Sequence, residues 1–121
     1  MGAATASKEN YLKAILRLER EQGSVRAVDI AAVMQVSRPS VSHAVHRLER
    51  ENYIRVDSSR LISLTPAGRE LASAVQERYD VFYQLFLSLG VPKGIASLDA
   101  GRIEHAISND SFMLFKSMVM G

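Results

Sequence analysis

The stretch from Asp29 to Ile54, DIAAVMQVSRPSVSHAVHRLERENYI, constrains the fold more than any other, because its apolar spacing fits two short helices with almost nothing between them. Ile30, Val33 and Met34 lie on one helical face, and Val41, Ala44, Val45 and Leu48 repeat the i, i+3, i+4, i+7 pattern of a second. Only Gln35 to Ser37 separates them. Ser37 is a natural N-cap, and Pro39 falls in the first turn, where a missing N–H costs nothing, so the second helix starts near Arg38. Its other face carries Arg38, Ser40, Ser42, His43, His46, Arg47 and Arg50, with hardly an apolar side chain among them. On a lone helix such a face is ordinary solvated surface. On the second helix of a helix-turn-helix it suits the major groove of DNA, where donors and cations meet base edges and phosphates.

The residues that follow support the second reading. Ile54 and Val56, then Leu61, Ile62 and Leu64, form two short apolar runs around Asp57, Ser58, Ser59 and Arg60, the pattern of a small β-hairpin, or wing. Near its tip, Arg60 is placed for a neighbouring phosphate or minor groove. Before the pair, a helix is expected from about Ser7 to Gln22, with Tyr11, Leu12, Ile15, Leu16 and Leu18 toward the core and Gly23 as its stop. Asn10, Lys13 and Arg17 share its other face.

Charge agrees with this placement but does not force it. Residues 1–60 hold ten Lys and Arg against seven Asp and Glu, whereas residues 61–121 hold five against six, so the basic excess lies with the helix-turn-helix. The absence of cysteine excludes disulfides, thiolate nucleophiles and thiolate metal ligands. No apolar run approaches the roughly 18–20 residues of a membrane span, and Met1 to Ser7 lacks the charged and apolar regions of a signal peptide, so no membrane partner and a cytoplasmic location are expected.

After the wing, Thr65 and Pro66 open a further helix, N-cap then N1, which should run to about Leu89 before Gly90 ends it. Its stripe of Leu71, Val75, Phe82, Phe86 and Leu89 is too long for the winged domain alone. Two last helices are expected, approximately Ser97 to Ile107 and Asn109 to Val119. Phe112, Met113, Phe115, Met118, Val119 and Met120 make this end unusually apolar, which suits a dimer interface or an intramolecular lid on the core. The expected architecture is therefore mostly α: a winged helix-turn-helix DNA-binding domain over residues 1–70, then a linker helix and small helical dimerisation domain over 71–121.

Four blocks of this sequence are similar to a known family: ENYLKAIL in the first helix, VRAVDIAAVMQVSRPSVSHAVHRLERENYI in the helix-turn-helix, LISLTPAGREL after the wing, and RIEHAIS with its Glu104-His105 pair. With their spacing, which covers nearly the whole chain, they resemble the diphtheria toxin repressor and manganese transport regulator family of bacterial metal-dependent repressors, in its short, two-domain branch. The longer branch carries a third, SH3-like domain, which 121 residues of this pattern do not accommodate. The resemblance implies a homodimer whose recognition helices enter successive major grooves of a palindromic operator on double-stranded DNA. It also implies control by iron or manganese bound between the first helix, the linker helix and the helix bearing the Glu-His pair.

Most ligands of that site are missing here. Glu104 and His105 match as a remnant of the metal site, but Asn10 and Lys13 stand where the family has an aspartate and a glutamate, Tyr79 replaces its linker-helix histidine, and Gly101 replaces a further glutamate. Such a remnant should hold a divalent manganese or iron ion only weakly unless water, Asp80 or Asp99 helps, and no cofactor is expected to be required. An ammonium at Lys13 can instead pair with Glu104, supplying from the protein the positive charge that the ion supplied.

The function expected is thus a sequence-specific DNA-binding repressor with a degenerate metal site. The alternatives are a metal-responsive repressor with rearranged ligands and, from another class, a winged-helix protein-interaction module. Arg26, Arg38, Arg47, Arg50, Arg55 and Arg60 favour DNA, because a docking helix needs apolar anchors on that face. An enzyme is not expected: the serines and histidines at Ser40, Ser42, His43 and His46 have no buried orienting carboxylate or oxyanion pocket. For DNA, the expected base-edge readers are Arg38, Pro39, Ser40 and His43, and the expected phosphate contacts are Ser42, Arg47, Arg50, Arg26 and Arg60.

Overall fold

The computed structural model describes the backbone of residues 3–120 and the side chains of residues 7–119. The elements follow in the order α1 (Ala3–Gln22), α2 (Ala27–Met34), α3 (Arg38–Arg50), β1 (Ile54–Val56), β2 (Ile62–Leu64), α4 (Pro66–Ser88), α5 (Lys93–Ile103) and α6 (Asn109–Met120). The chain divides into two compact units, one up to Ser73 and one from Ala74 onward.

In the first unit α1 lies behind the helix-turn-helix. Leu12, Ile15 and Leu16 from α1 meet Ile30 from α2, Val41 and Leu48 from α3 and Ile54 from β1, all essentially removed from solvent. Each such side chain contributes about 1.5–3 kcal/mol of burial. These are the apolar positions that the helical spacing selects. The loops are shaped by residues that hold the left-handed region. Gly23 (φ 85) ends α1, with its N–H on the Glu19 carbonyl, and Asn52 (φ 66) ends α3, after which the Tyr53 N–H returns to the Leu48 carbonyl. Gln35 (φ 55, ψ 48) makes the turn between α2 and α3.

Helix α2 starts two residues before Asp29, since the Asp29 carboxylate accepts the Arg26 backbone N–H at 2.8 Å and closes the first turn. Helix α3 starts as expected: Ser37 is its N-cap, its Oγ accepting the Ser40 N–H at 3.2 Å, and Pro39 sits in the first turn.

Strands β1 and β2 pair antiparallel in the register Ile54↔Leu64, Arg55↔Ser63, Val56↔Ile62. Ile54, Ile62 and Leu64 point to the core, and Arg55 and Ser63 to solvent. An isolated bridge between Val25 and Ile62 ties the wing back to the chain entering α2. Helix α4 then begins on a doubly used hydroxyl: Thr65 Oγ1 donates to the Asn52 carbonyl at 2.8 Å and accepts the Gly68 N–H at 3.1 Å. Arg69 on α4 reaches Glu19 on α1 at 2.7 Å. The hydrogen bond and charge of Glu19 raise the pKa of the guanidinium above its ordinary value. As a half-exposed surface pair it adds only about 0–1 kcal/mol.

The second unit packs around Phe82, with Val81, Ala100 and Phe112 buried beside it and the Phe115 ring centroid 5.3 Å away. Two expectations are corrected here. Helix α5 runs from Lys93 to Ile103, not from Ser97 to Ile107. Pro92, with φ fixed at −57°, precedes it, and the Pro92 carbonyl accepts the Ala96 N–H, so the turn opens four residues earlier. The Ser97 hydroxyl is 2.8 Å from the Tyr79 hydroxyl. At the other end Glu104 is the C-cap, still in the right-handed helical region with its N–H on the Ala100 carbonyl, and His105 lies in the turn beyond. Leu89 is the second correction. It follows the end of α4 and is exposed, because Gly90 (φ 89) turns the chain there.

The apolar stripe of α6 divides. Phe112 is buried and Phe115 and Val119 pack on the core, whereas Met113, Leu114 and Met118 are exposed; the Met120 side chain lies outside the described residues.

Candidate nucleic-acid interface

With Val41, Ala44, Val45 and Leu48 turned inward, helical geometry leaves Pro39, His43, His46 and Arg50 along the outer crest of α3. Arg38 and Ser42 stand on the flank toward the wing, Ser40 and Arg47 on the flank toward α1. Each flank borders a groove. One, of about 530 Å³, is lined by Ser7, Lys8 and Tyr11 of α1 and by Ser40, His43 and Arg47 of α3. The other, of about 430 Å³, lies between α3 and the wing and holds Arg26, Arg38, Ser42, His46 and Arg60, with Glu49 and Asp57.

A helical ridge flanked by two arginine-bearing grooves has the shape and charge that a major groove and the phosphates beside it can accept. Of the residues expected at DNA, Arg26, Arg38, Ser42 and Arg60 line one groove, Pro39, Ser40, His43 and Arg47 the other, and Arg50 is exposed on the crest.

Several of these side chains also have partners within the protein. Arg47 Nε is 3.7 Å from Glu51 Oε1, and Arg26 Nη1 donates to the Ser59 carbonyl at 2.7 Å. Ser37 Oγ donates to Ser40 Oγ at 2.8 Å. His46 was not among the contacts proposed from sequence, although its place on the polar face was visible. The capping register fixes it on the crest, three residues after His43. Lys8 was missed outright: α1 is read for its core side, and nothing in the sequence brings its first turns beside α3.

The positions implied for a metal fall in different parts of the chain. Asn10 and Lys13 lie on α1 in the first unit; Tyr79, Gly101, Glu104 and His105 belong to the second. Glu104 is fully buried, and its Oε1 is 3.2 Å from His105 Nε2, so the two matching donors face each other. Among the described residues no group of three or more His, Asp or Glu side chains could hold a metal ion. Iron(II) or manganese(II) takes several oxygen and nitrogen donors, so these residues do not fit the family's metal.

The fold of the first unit and the polar crest of α3, flanked by arginine-bearing grooves, define a winged helix-turn-helix DNA-binding protein. The profile of a family described as "Iron dependent repressor, N-terminal DNA binding domain" matches residues 3–60. The transcriptional regulator MntR of Salmonella typhimurium is 36% identical over 110 residues, which cover 88% of this chain and 70% of that protein. The iron-dependent repressor IdeR of Mycobacterium tuberculosis is 34% identical over 111 residues, 91% of this chain and 48% of IdeR. Among solved structures, the manganese regulator SloR superposes with a TM-score of 0.82 at 25% identity over 93% of this chain, which spans 53% of SloR. The chain belongs to this family of metal-dependent transcriptional repressors, and it spans about half the length of IdeR and SloR.

Proposed function

We propose that the protein is a sequence-specific repressor that binds a palindromic operator as a homodimer and does so without needing a metal ion. The observation that carries the DNA-binding part is the polar crest of α3 between two cationic grooves. Apart from Pro39, that crest offers no apolar anchor of the kind a protein-docking helix uses. Dimerisation is supported by the exposed Met113, Leu114 and Met118 on α6 and Ile95 and Leu98 on α5. A regulator of this kind works in the bacterial cytoplasm, and among the described residues no helix is long and apolar enough to cross a membrane.

Metal independence rests on the substitutions at Asn10, Lys13, Tyr79 and Gly101, which remove donors, and on the mutual contact of the two that remain, Glu104 and His105. In this reading the Lys13 ammonium, standing where the family has a carboxylate, takes over the ion's positive charge. The deciding experiment selects a duplex from a random library with the purified protein, then measures its affinity before and after exhaustive chelation, with metal content determined in parallel. Unchanged affinity supports the proposal. Loss of binding on chelation, with recovery on adding manganese, establishes a metal-responsive repressor with rearranged ligands instead.

A further inference from the structure

The wing is a small hairpin of two three-residue strands, which on its own is at best marginally stable in water. Its tip is closed around Asp57. The Asp57 carbonyl accepts the Arg60 N–H at 3.0 Å, and Asp57 Oδ1 accepts the N–H groups of Ser59 and Leu61 at 2.8 and 2.9 Å. This turn sets Arg60 at φ 67, a conformation that costs a non-glycine residue free energy and persists only when neighbouring contacts hold it.

One such contact arrives from far along the chain. Arg26 Nη1 donates to the Ser59 carbonyl at 2.7 Å across 33 residues, a short charge-assisted bond to the peptide just before Arg60. Its base is fixed on both sides: the Arg26 N–H is held by Asp29, and the carbonyl of the preceding Val25 accepts the Ile62 N–H at 2.8 Å. Arg26 thus reaches the tip from a point already anchored to the hairpin stem.

We infer that Arg26 is a positioning residue: it braces the wing tip and sets the direction of Arg60 before DNA arrives, in place of the direct phosphate contact that its charge suggests. This rests on the DNA-binding reading above. A preset tip spares the complex the ordering cost of a loose loop, so the brace raises affinity through Arg60.

The test is a double-mutant cycle with Arg26→Ala, Arg60→Ala and the double variant in the full chain. It uses a fluorescently labelled duplex selected by the wild-type protein, with affinity measured over a range of salt. Under the brace, each single substitution weakens binding by roughly tenfold, and the double variant is no weaker than Arg60→Ala alone. Its salt slope also equals that of Arg60→Ala. If Arg26 contacts phosphate independently, the two effects multiply and the double variant loses about 0.9 more from the slope of log affinity against log salt than Arg60→Ala does. That result overturns the inference.

Amide hydrogen exchange supplies a readout without DNA. Arg26→Ala should speed exchange at Arg60 and Leu61 while the amides of α3 stay protected, and unchanged exchange at the tip overturns the brace. If the wild-type protein selects no duplex, the DNA-binding reading fails, and the exchange measurement still decides whether Arg26 holds the wing.

Discussion

Gly68 faces the backbone carbonyl of Tyr53 so closely that a Cβ built on it would overlap the oxygen. The first turn of α4 therefore passes directly against the chain leaving α3, in the place where the Thr65 N–H also reaches the Tyr53 carbonyl at 3.0 Å. Helix propensity alone says that Gly68→Ala should stabilise α4 by about 1 kcal/mol. The contact says the reverse, because the obstacle is backbone and cannot swing away. We expect the substitution to destabilise the first unit by about 1–3 kcal/mol in urea unfolding. A gain in stability would mean that α4 does not approach Tyr53 this closely.

That contact also marks where the sequence stops being legible. The positions filling the core of the first unit, from Leu12 and Ile15 through Val41 and Leu48 to Ile54, follow from periodicity, because burial selects the same face that spacing defines. The crest of α3 follows too, since Ser37 and Pro39 fix where the helix begins and hence which side chains point outward. Gly68, by contrast, lies in an ordinary helical stretch, and its constraint comes from a carbonyl across the fold. The reach of Arg26 to Ser59 is hidden in the same way. Helix α5 starts four residues before the expected Ser97, because Pro92 sets its start, and the Ser97 hydroxyl pairs with that of Tyr79.

The turn between α2 and α3 is made by Gln35 in the left-handed region, although glycine is the usual residue there. Relieving that conformation is worth about 1 kcal/mol, partly offset by the greater freedom of an unfolded glycine. Gln35→Gly should therefore raise stability by roughly 0.5 kcal/mol, seen as a higher urea midpoint with an unchanged slope. Gln35 is not on the crest of α3, so the affinity for a selected duplex should stay the same. A loss of stability would show that its side chain makes a contact outweighing the backbone strain.

Leu114 and Met118 stand one helical turn apart on α6 and are 71% and 75% exposed. Two such neighbours on a chain of this size suit an interface between two copies. Replacing both with glutamate places charges that must be desolvated when the face is covered. In sedimentation equilibrium the variant should be monomeric at concentrations where the wild-type chain is dimeric, with unchanged helix content. A palindromic duplex should then be bound more weakly, and a single half-site as before. If the wild-type chain is itself monomeric, or the variant keeps the dimer mass, this face is not the interface.

His43 and Arg47 are one turn apart on α3, both beside the groove shared with α1, yet they should act differently on DNA. His43 lies on the crest, where the helix enters the major groove; Arg47 lies on the flank, 3.7 Å from Glu51, where a strand of phosphates passes. His43→Ala should change which sequences are preferred, costing about 1–3 kcal/mol on the selected duplex and much less on one altered at the base pair it reads. Arg47→Ala should weaken every duplex by a similar factor and lower the slope of log affinity against log salt by about 0.9. Glu51 limits the second effect, since it already holds part of the guanidinium's charge. Binding of the wild type and both variants to the selected duplex and to its single-base variants, at several salt concentrations, separates the two roles. The opposite pattern, with a uniform loss at His43 and altered preference at Arg47, would mean that α3 is rotated about its axis in the groove relative to the docking proposed here.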